Sequence, residues 1–172
     1  MNRPGPEARR LRGTRPSFGR ILATLEETPE RLTALTASLT LARLHARRGK
    51  DQWSANDVLG HLRACADVWG GCIVRIIAED RPTLWAVNPR SWIDETYYLV
   101  LDFLPSLHSF AKQRAELLAL LKPLPSKAWS RTAAVTGAGA VLQRTVLFYA
   151  EWLARHERTH VKQVERILNS SR

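Results

Sequence analysis

The chain has 172 residues, 45% of them apolar, which suits a single domain with its own core and excludes a disordered chain by composition. Its longest apolar runs, such as 97–101, are far short of a membrane span, and residues 1–20 lack the apolar segment of a secretion signal. The net charge of +10 would suit a polyanion partner, yet half of it lies in residues 1–20, where six arginines (Arg3, Arg9, Arg10, Arg12, Arg15 and Arg20) meet Glu7 alone.

These totals predict a cytoplasmic protein with no membrane segment. Residues 1–18 form a basic tail broken by Pro4, Gly5, Pro6, Gly13 and Pro16, expected to stay unfolded as a solvated extension or an anion-binding arm. The folded domain is expected over 19–170. Nothing in it resembles a recognition helix or an aromatic-basic surface, so nucleic acid is not an expected partner. Cys65 and Cys72, seven positions apart on one helix, would lie roughly 10 Å apart, too far for a disulfide.

In chain order, Phe18–Leu25 reads as a short helix. Thr28 and Pro29 then read as cap and first residue of a longer one, whose stripe runs Leu32, Leu35, Leu39, Ala42 and Ala46. Trp53, Ser54 and Asp57 give the second helix a staple and an acidic capping box. Its apolar face follows through Val58, Leu62, Cys65, Trp69, Cys72, Ile73 and Ile76, and it ends before Pro82. Residues 80–93 read as an ordered connection. A third helix over 94–121 carries Tyr98, Leu101, Leu104, Leu107, Phe110, Leu117 and Leu121, with Pro105 expected to kink it. Gly137 and Gly139 precede a last helix over 139–168, striped by Leu142, Val146, Tyr149, Leu153, Val164 and Ile167. No strand pair is apparent. The fold class is all-α, a four-helix bundle.

The last stripe is interrupted where His156 and His160 occupy the inward positions. Residues at i and i+4 stack on one helix face about 6 Å apart, so both imidazoles can reach one ion. His61, one turn after Val58 and one before Cys65, is on the core side of the second helix. Bundle cores build metal sites from such facing residues. On pattern alone the three read equally as a metal set or as separately hydrogen-bonded core histidines. Cys65 is a candidate fourth ligand or a buried thiol. Asp57 and Glu157 are candidate general bases beside their plainer readings as helix cap and as solvated or supporting group. Trp85 and Trp92 are candidates to roof the site; His45 and His108, without partners in sequence, are read as structural.

The segment Trp53-Ser54-Ala55-Asn56-Asp57-Val58-Leu59-Gly60-His61-Leu62 resembles the start of the second helix in the DinB-like (YfiT-like) superfamily. His156-Glu157-Arg158-Thr159-His160-Val161-Lys162-Gln163-Val164 resembles its last-helix motif, with Glu157 where Asp is common. Arg114-Ala115-Glu116-Leu117-Leu118 resembles its arginine-containing third helix, and Gly137/Gly139 the break before its fourth. The likeness covers about 20–168. It implies an up-down-down-up bundle, often a homodimer, with a divalent metal on His61, His156 and His160. It also implies relatives that include thiol-dependent S-transferases and isomerases using low-molecular-weight thiols.

Three neutral imidazoles would leave the metal's 2+ charge and an open position, a catalytic rather than a closed site. The ligand type admits zinc, nickel or iron. The expected function is therefore a metal-dependent hydrolase or S-transferase acting on a small molecule, such as a thiol or thiol adduct. The alternative is a non-catalytic helical scaffold touching a polyanion through its arginine-rich tail.

Overall fold

The computed structural model describes residues 18–169. The tail expected over 1–18 lies, apart from Phe18, outside the described residues. Phe18 opens the first helix, α1 (Phe18–Thr36), whose buried stripe of Ile21, Leu25, Thr28, Leu32 and Thr36 runs unbroken past Pro29. The expected start at Thr28-Pro29 is thus corrected. Proline removes one hydrogen bond at a cost of about 3 kcal/mol, and burial of a stripe on both sides of it outweighs that. The helix stops where the Thr36 hydroxyl donates to the Leu32 carbonyl at 2.7 Å. The chain restarts as α2 (Leu41–His45), whose Thr40 cap accepts from the Arg43 N–H at 3.3 Å.

The second rod has three parts: α3 (Ala55–Cys65), a π-helical segment (Ala66–Gly70) and α4 (Gly71–Ala78). Its start is the expected capping box: Ser54 and Asp57 exchange backbone and side-chain hydrogen bonds at 2.8 and 3.1 Å. Every residue of α3 is buried, because the segment 95–102 covers its outer face. There Asn56 Nδ2 donates to the carbonyls of Leu99 and Leu101, and a Cβ on Gly60 would sit 3.1 Å from Leu99. The Arg63 guanidinium lies 3.9 Å from the Tyr98 ring centroid.

The third rod is shorter than expected. A separate α5 (Pro89–Asp94) precedes it, and α6 spans Phe103–Leu121. Pro105 therefore lies in the first turn, where a missing N–H costs little, and causes no kink. The last rod, α7, spans Val146–Asn169, because residues expected at its start form a strand instead.

That strand corrects the all-helical expectation in detail. β1 (Thr83–Trp85) pairs in parallel with β2 (Thr132–Thr136), and β2 pairs antiparallel with β3 (Leu142–Thr145). The small sheet closes one end of the bundle, its Leu84, Ala133 and Val135 packed in one core cluster with Ile21, Ile73 and Leu153. A second cluster, around Leu32, Val58, Leu62, Phe110 and Val161, fills the other half.

Cross-rod contacts fix the direction of each helix. Arg31 pairs with Glu165, and Ile21 lines a cavity with Ala154, so α1 and α7 are parallel. Lys122 reaches Glu26 while Leu32, a turn and a half further along α1, shares a cluster with Phe103 and Phe110, so α6 runs against α1. Arg63 bonds Ser106 and Asp67 bonds Gln113, so α6 runs with α3. His61 faces His156 while Ile76 and Val146 share the sheet-end cluster, so the second rod opposes α7. The bundle is up-down-down-up. The parallel pair α3–α6 requires a long crossover, which 79–102 provides. No described helix is long and apolar enough to cross a membrane.

The turn between β2 and β3 supplies a test. Gly137 and Gly139 have φ of +88° and +91°, a region L side chains rarely adopt. A Cβ on Gly137 would also lie 2.6 Å from the Trp85 ring, whereas one on Gly139 would meet nothing within 4 Å. Gly139→Ala should cost about 1 kcal/mol from the backbone alone, and Gly137→Ala about 1 kcal/mol more, as Trp85 is displaced. Equal thermal unfolding midpoints for the two variants would contradict this packing.

Candidate metal centre

His61 projects from the middle of the buried α3, and His156 and His160 from one face of α7. The antiparallel crossing brings them together between the two core clusters. His156 Nε2 lies 3.3 Å from His61 Nε2 and 3.2 Å from His160 Nε2. All three expected histidines therefore converge. Cys65 Sγ adds a fourth group, 3.5 Å from His61 Nε2. His61, Cys65 and His156 have donor atoms within 4.8 Å of one another, close enough to share an ion. His160 enters the cluster through His156, so two overlapping donor sets exist.

Protonation separates them. Burial, then His160 and Arg90, lowers His61 to a pKa of about 4; burial, then His160 and His61, lowers His156 to about 3. Burial likewise lowers His160, against Gln163 and with Arg90. The imidazoles are neutral at pH 7. Burial pushes the Cys65 thiol strongly up, so it stays protonated on its own. Gln163 Oε1 stands 2.7 Å from His160 Nδ1 and can only accept, so Nδ1 carries the proton and Nε2 a lone pair. Each neutral imidazole has one N–H, and that of His160 is spent on Gln163. The remaining protons cannot serve every Nε2 contact at once, whereas a shared cation satisfies all three nitrogens. The donors fit a borderline divalent ion.

Aromatic rings hold the imidazoles in place. Trp53 stacks on His160 at 6.0 Å and meets His61 edge-on at 5.1 Å. Trp69, on the π-helical segment, is perpendicular to His156 at 5.0 Å. The wider fifth-neighbour turn there re-aims the following residues, and Asp67 in the same segment accepts from Tyr98, Trp92 and Gln113. The roof expected from Trp85 and Trp92 is not present. Trp85 lies 71% exposed over Gly137, and Trp92 is tied to Asp67. The sequence showed Trp53 as a helix staple, but nothing in it revealed the stacking on His160.

Neither candidate base is free. Arg47 and Ser54 occupy both Asp57 oxygens; burial pushes that carboxyl up, and Arg47 and Ser54 outweigh it, leaving it below the usual carboxylate range. Glu157 is not solvated. It is fully buried and paired with Arg114 of α6, itself 1% exposed. Burial pushes the Glu157 carboxyl up while the guanidinium pulls it back. Its Oε2, and Arg114 Nε and Nη1, lack partners among the described residues. His45 and His108 are exposed and contribute no donor to the cluster.

Over residues 24–164 the sequence matches the family model described as DinB superfamily. The chain belongs to the DinB superfamily. Among solved structures, this DinB protein is similar to YfiT from Bacillus subtilis, with a TM-score of 0.66 and 19% identity over 88% of this chain and 87% of that one. YfiT is described as a probable metal-dependent hydrolase with an unusual four-helix bundle topology. At that identity the likeness shows the shared fold. No curated protein matches this DinB chain.

Two outcomes follow from these environments. The histidine pKa values are depressed in the folded state, so the unfolded chain binds more protons between pH 6.5 and about 4. The metal-free protein should keep full stability above pH 6.5 and lose it progressively toward pH 4; a urea midpoint that is flat across that window would contradict the burial of these rings. Arg114→Met should destabilise by about 3–5 kcal/mol, because it strands Glu157, and adding Glu157→Gln should recover part of the loss. Strict additivity of the two substitutions in chemical denaturation would show the pair is uncoupled.

Proposed function

We propose that this chain is a metal-dependent enzyme, a hydrolase or an S-transferase using a low-molecular-weight thiol, whose divalent ion is held by His61, His156 and His160. The observation that carries this is the approach of His61 Nε2 and His160 Nε2 to His156 Nε2, at 3.3 and 3.2 Å, all three imidazoles being neutral and His160 turned inward by Gln163. When bound, the ion would supply Lewis acidity toward a substrate oxygen, or lower the pKa of a water or thiol.

The chain's own residues then have distinct tasks. Gln163 holds the His160 tautomer, and Trp53 and Trp69 brace the rings. Cys65 remains a buried thiol rather than a ligand in this assignment, which leaves a position open for substrate. Asp57 fixes the start of α3, and so the height of His61 in the bundle, through its hydrogen bonds to Ser54. Access is through two cavities on either side of Trp53, of about 330 Å³ at His61 and about 400 Å³ at His160. Those volumes suit a small-molecule substrate.

Protein purified without an affinity tag should contain about one divalent ion per chain by elemental analysis, and the His61→Ala/His160→Ala variant only background. Low occupancy that is identical in both proteins would contradict the assignment.

A further inference from the structure

The two cavities share a wall formed by Asp51, Gln52, Trp53 and Arg90. Arg90, the second residue of α5, is exposed, and its guanidinium stands over the Trp53 ring, 5.9 Å from the centroid. The same indole contacts both His61, edge-on, and His160, stacked. Arg90 thus lines one cavity with His61 and the other with His160, and both routes to the cluster pass it.

The charges around this entrance do not cancel. In the His61 cavity Arg47 is spent on Asp57, which leaves Lys50 and Arg90 against Asp51. The balance is one positive charge before any metal is counted. Among the described residues neither Lys50 nor Arg90 makes an ion pair. A guanidinium over an indole keeps its N–H edge available, and that planar edge matches a carboxylate through two parallel hydrogen bonds. The net charge of +10 on the whole chain adds to the attraction for small anions.

We propose that the substrate is a small organic anion whose carboxylate is held by Arg90, with Lys50 assisting, while its reactive group reaches the histidine cluster past Trp53. This rests on the metal-centre assignment above and adds the substrate's chemical class. Arg90 is a specificity determinant that binds the non-reacting end. Succinamide, in which both carboxylates become neutral amides of nearly the same shape, lacks the charge the site selects.

The test is calorimetric titration of the zinc-loaded protein with succinate and with succinamide, with zinc content measured on each sample. Succinate should bind about tenfold or more tightly than succinamide. Arg90→Gln should lose about tenfold in succinate affinity with zinc content and circular dichroism unchanged, and Arg90→Lys should recover part of it. Metal coordination of a carboxylate would persist in Arg90→Gln, so the difference between the proteins isolates the arginine. Equal succinate affinity in wild type and Arg90→Gln, both loaded with zinc, overturns the anion subsite and leaves the metal centre standing. A wild-type protein that takes up none of zinc, nickel and iron(II) overturns the metal centre itself.

Discussion

Inside the helical bundle the Nε2 atoms of His61 and His160 each stand within 3.3 Å of His156 Nε2, a crowding of nitrogen donors that a cation between them would satisfy. Burial keeps His61 and His156 neutral, and Gln163 directs the lone pair of His160 inward. Lone pairs that converge in a low-dielectric interior repel each other, and a single proton per ring cannot relieve every contact. The rest of the fold serves to hold that crowding. α3 is buried on all sides, pinned at its start by the Ser54–Asp57 box and on its outer face by 95–102. α7 is pinned in the interior by the buried Glu157–Arg114 pair, one residue from His156.

The up-down-down-up order follows from the same requirement. His61 must meet His156 and His160 across an antiparallel pair, while α6, parallel to α3, brings Arg114 to Glu157 of α7 in the bundle interior. A parallel neighbour cannot be reached by a short turn, so the chain spends 79–102 on a crossover. That crossover supplies β1, α5 with Arg90, and the cover over α3. Topology thereby places a cationic residue in the cavities that border His61 and His160.

Much of this was legible in the residues, for a physical reason. Caps and i/i+4 spacing are local, so the start of α3 and the face shared by His156 and His160 could be read directly. The meeting of His61 with that pair was an even choice on periodicity, and the family resemblance weighted it. The strands were missed because Thr132–Thr136 and Leu142–Thr145 are short and their pairing lies between separated segments. The π-helical turn at Ala66–Gly70 has no sequence signature, so Trp69 was read as one of the apolar face, which it is, but not as a neighbour of His156. Pro29 and Pro105 were both over-read as punctuation, since one sits inside a stripe that burial sustains and the other in a first turn that tolerates it. Whether Glu157 was solvated or a supporting group stayed open because its partner, Arg114, is 43 residues away in sequence.

The central claim is that the ion is held by nitrogen, with Cys65 close by but outside the coordination shell. X-ray absorption at the zinc edge of the loaded protein measures this directly. Nitrogen or oxygen scatterers alone, at about 2.0–2.1 Å and with imidazole outer-shell features, are the predicted result. A sulfur scatterer at about 2.3 Å that disappears in Cys65→Ala would contradict it and give the ion to the His61–Cys65–His156 set instead.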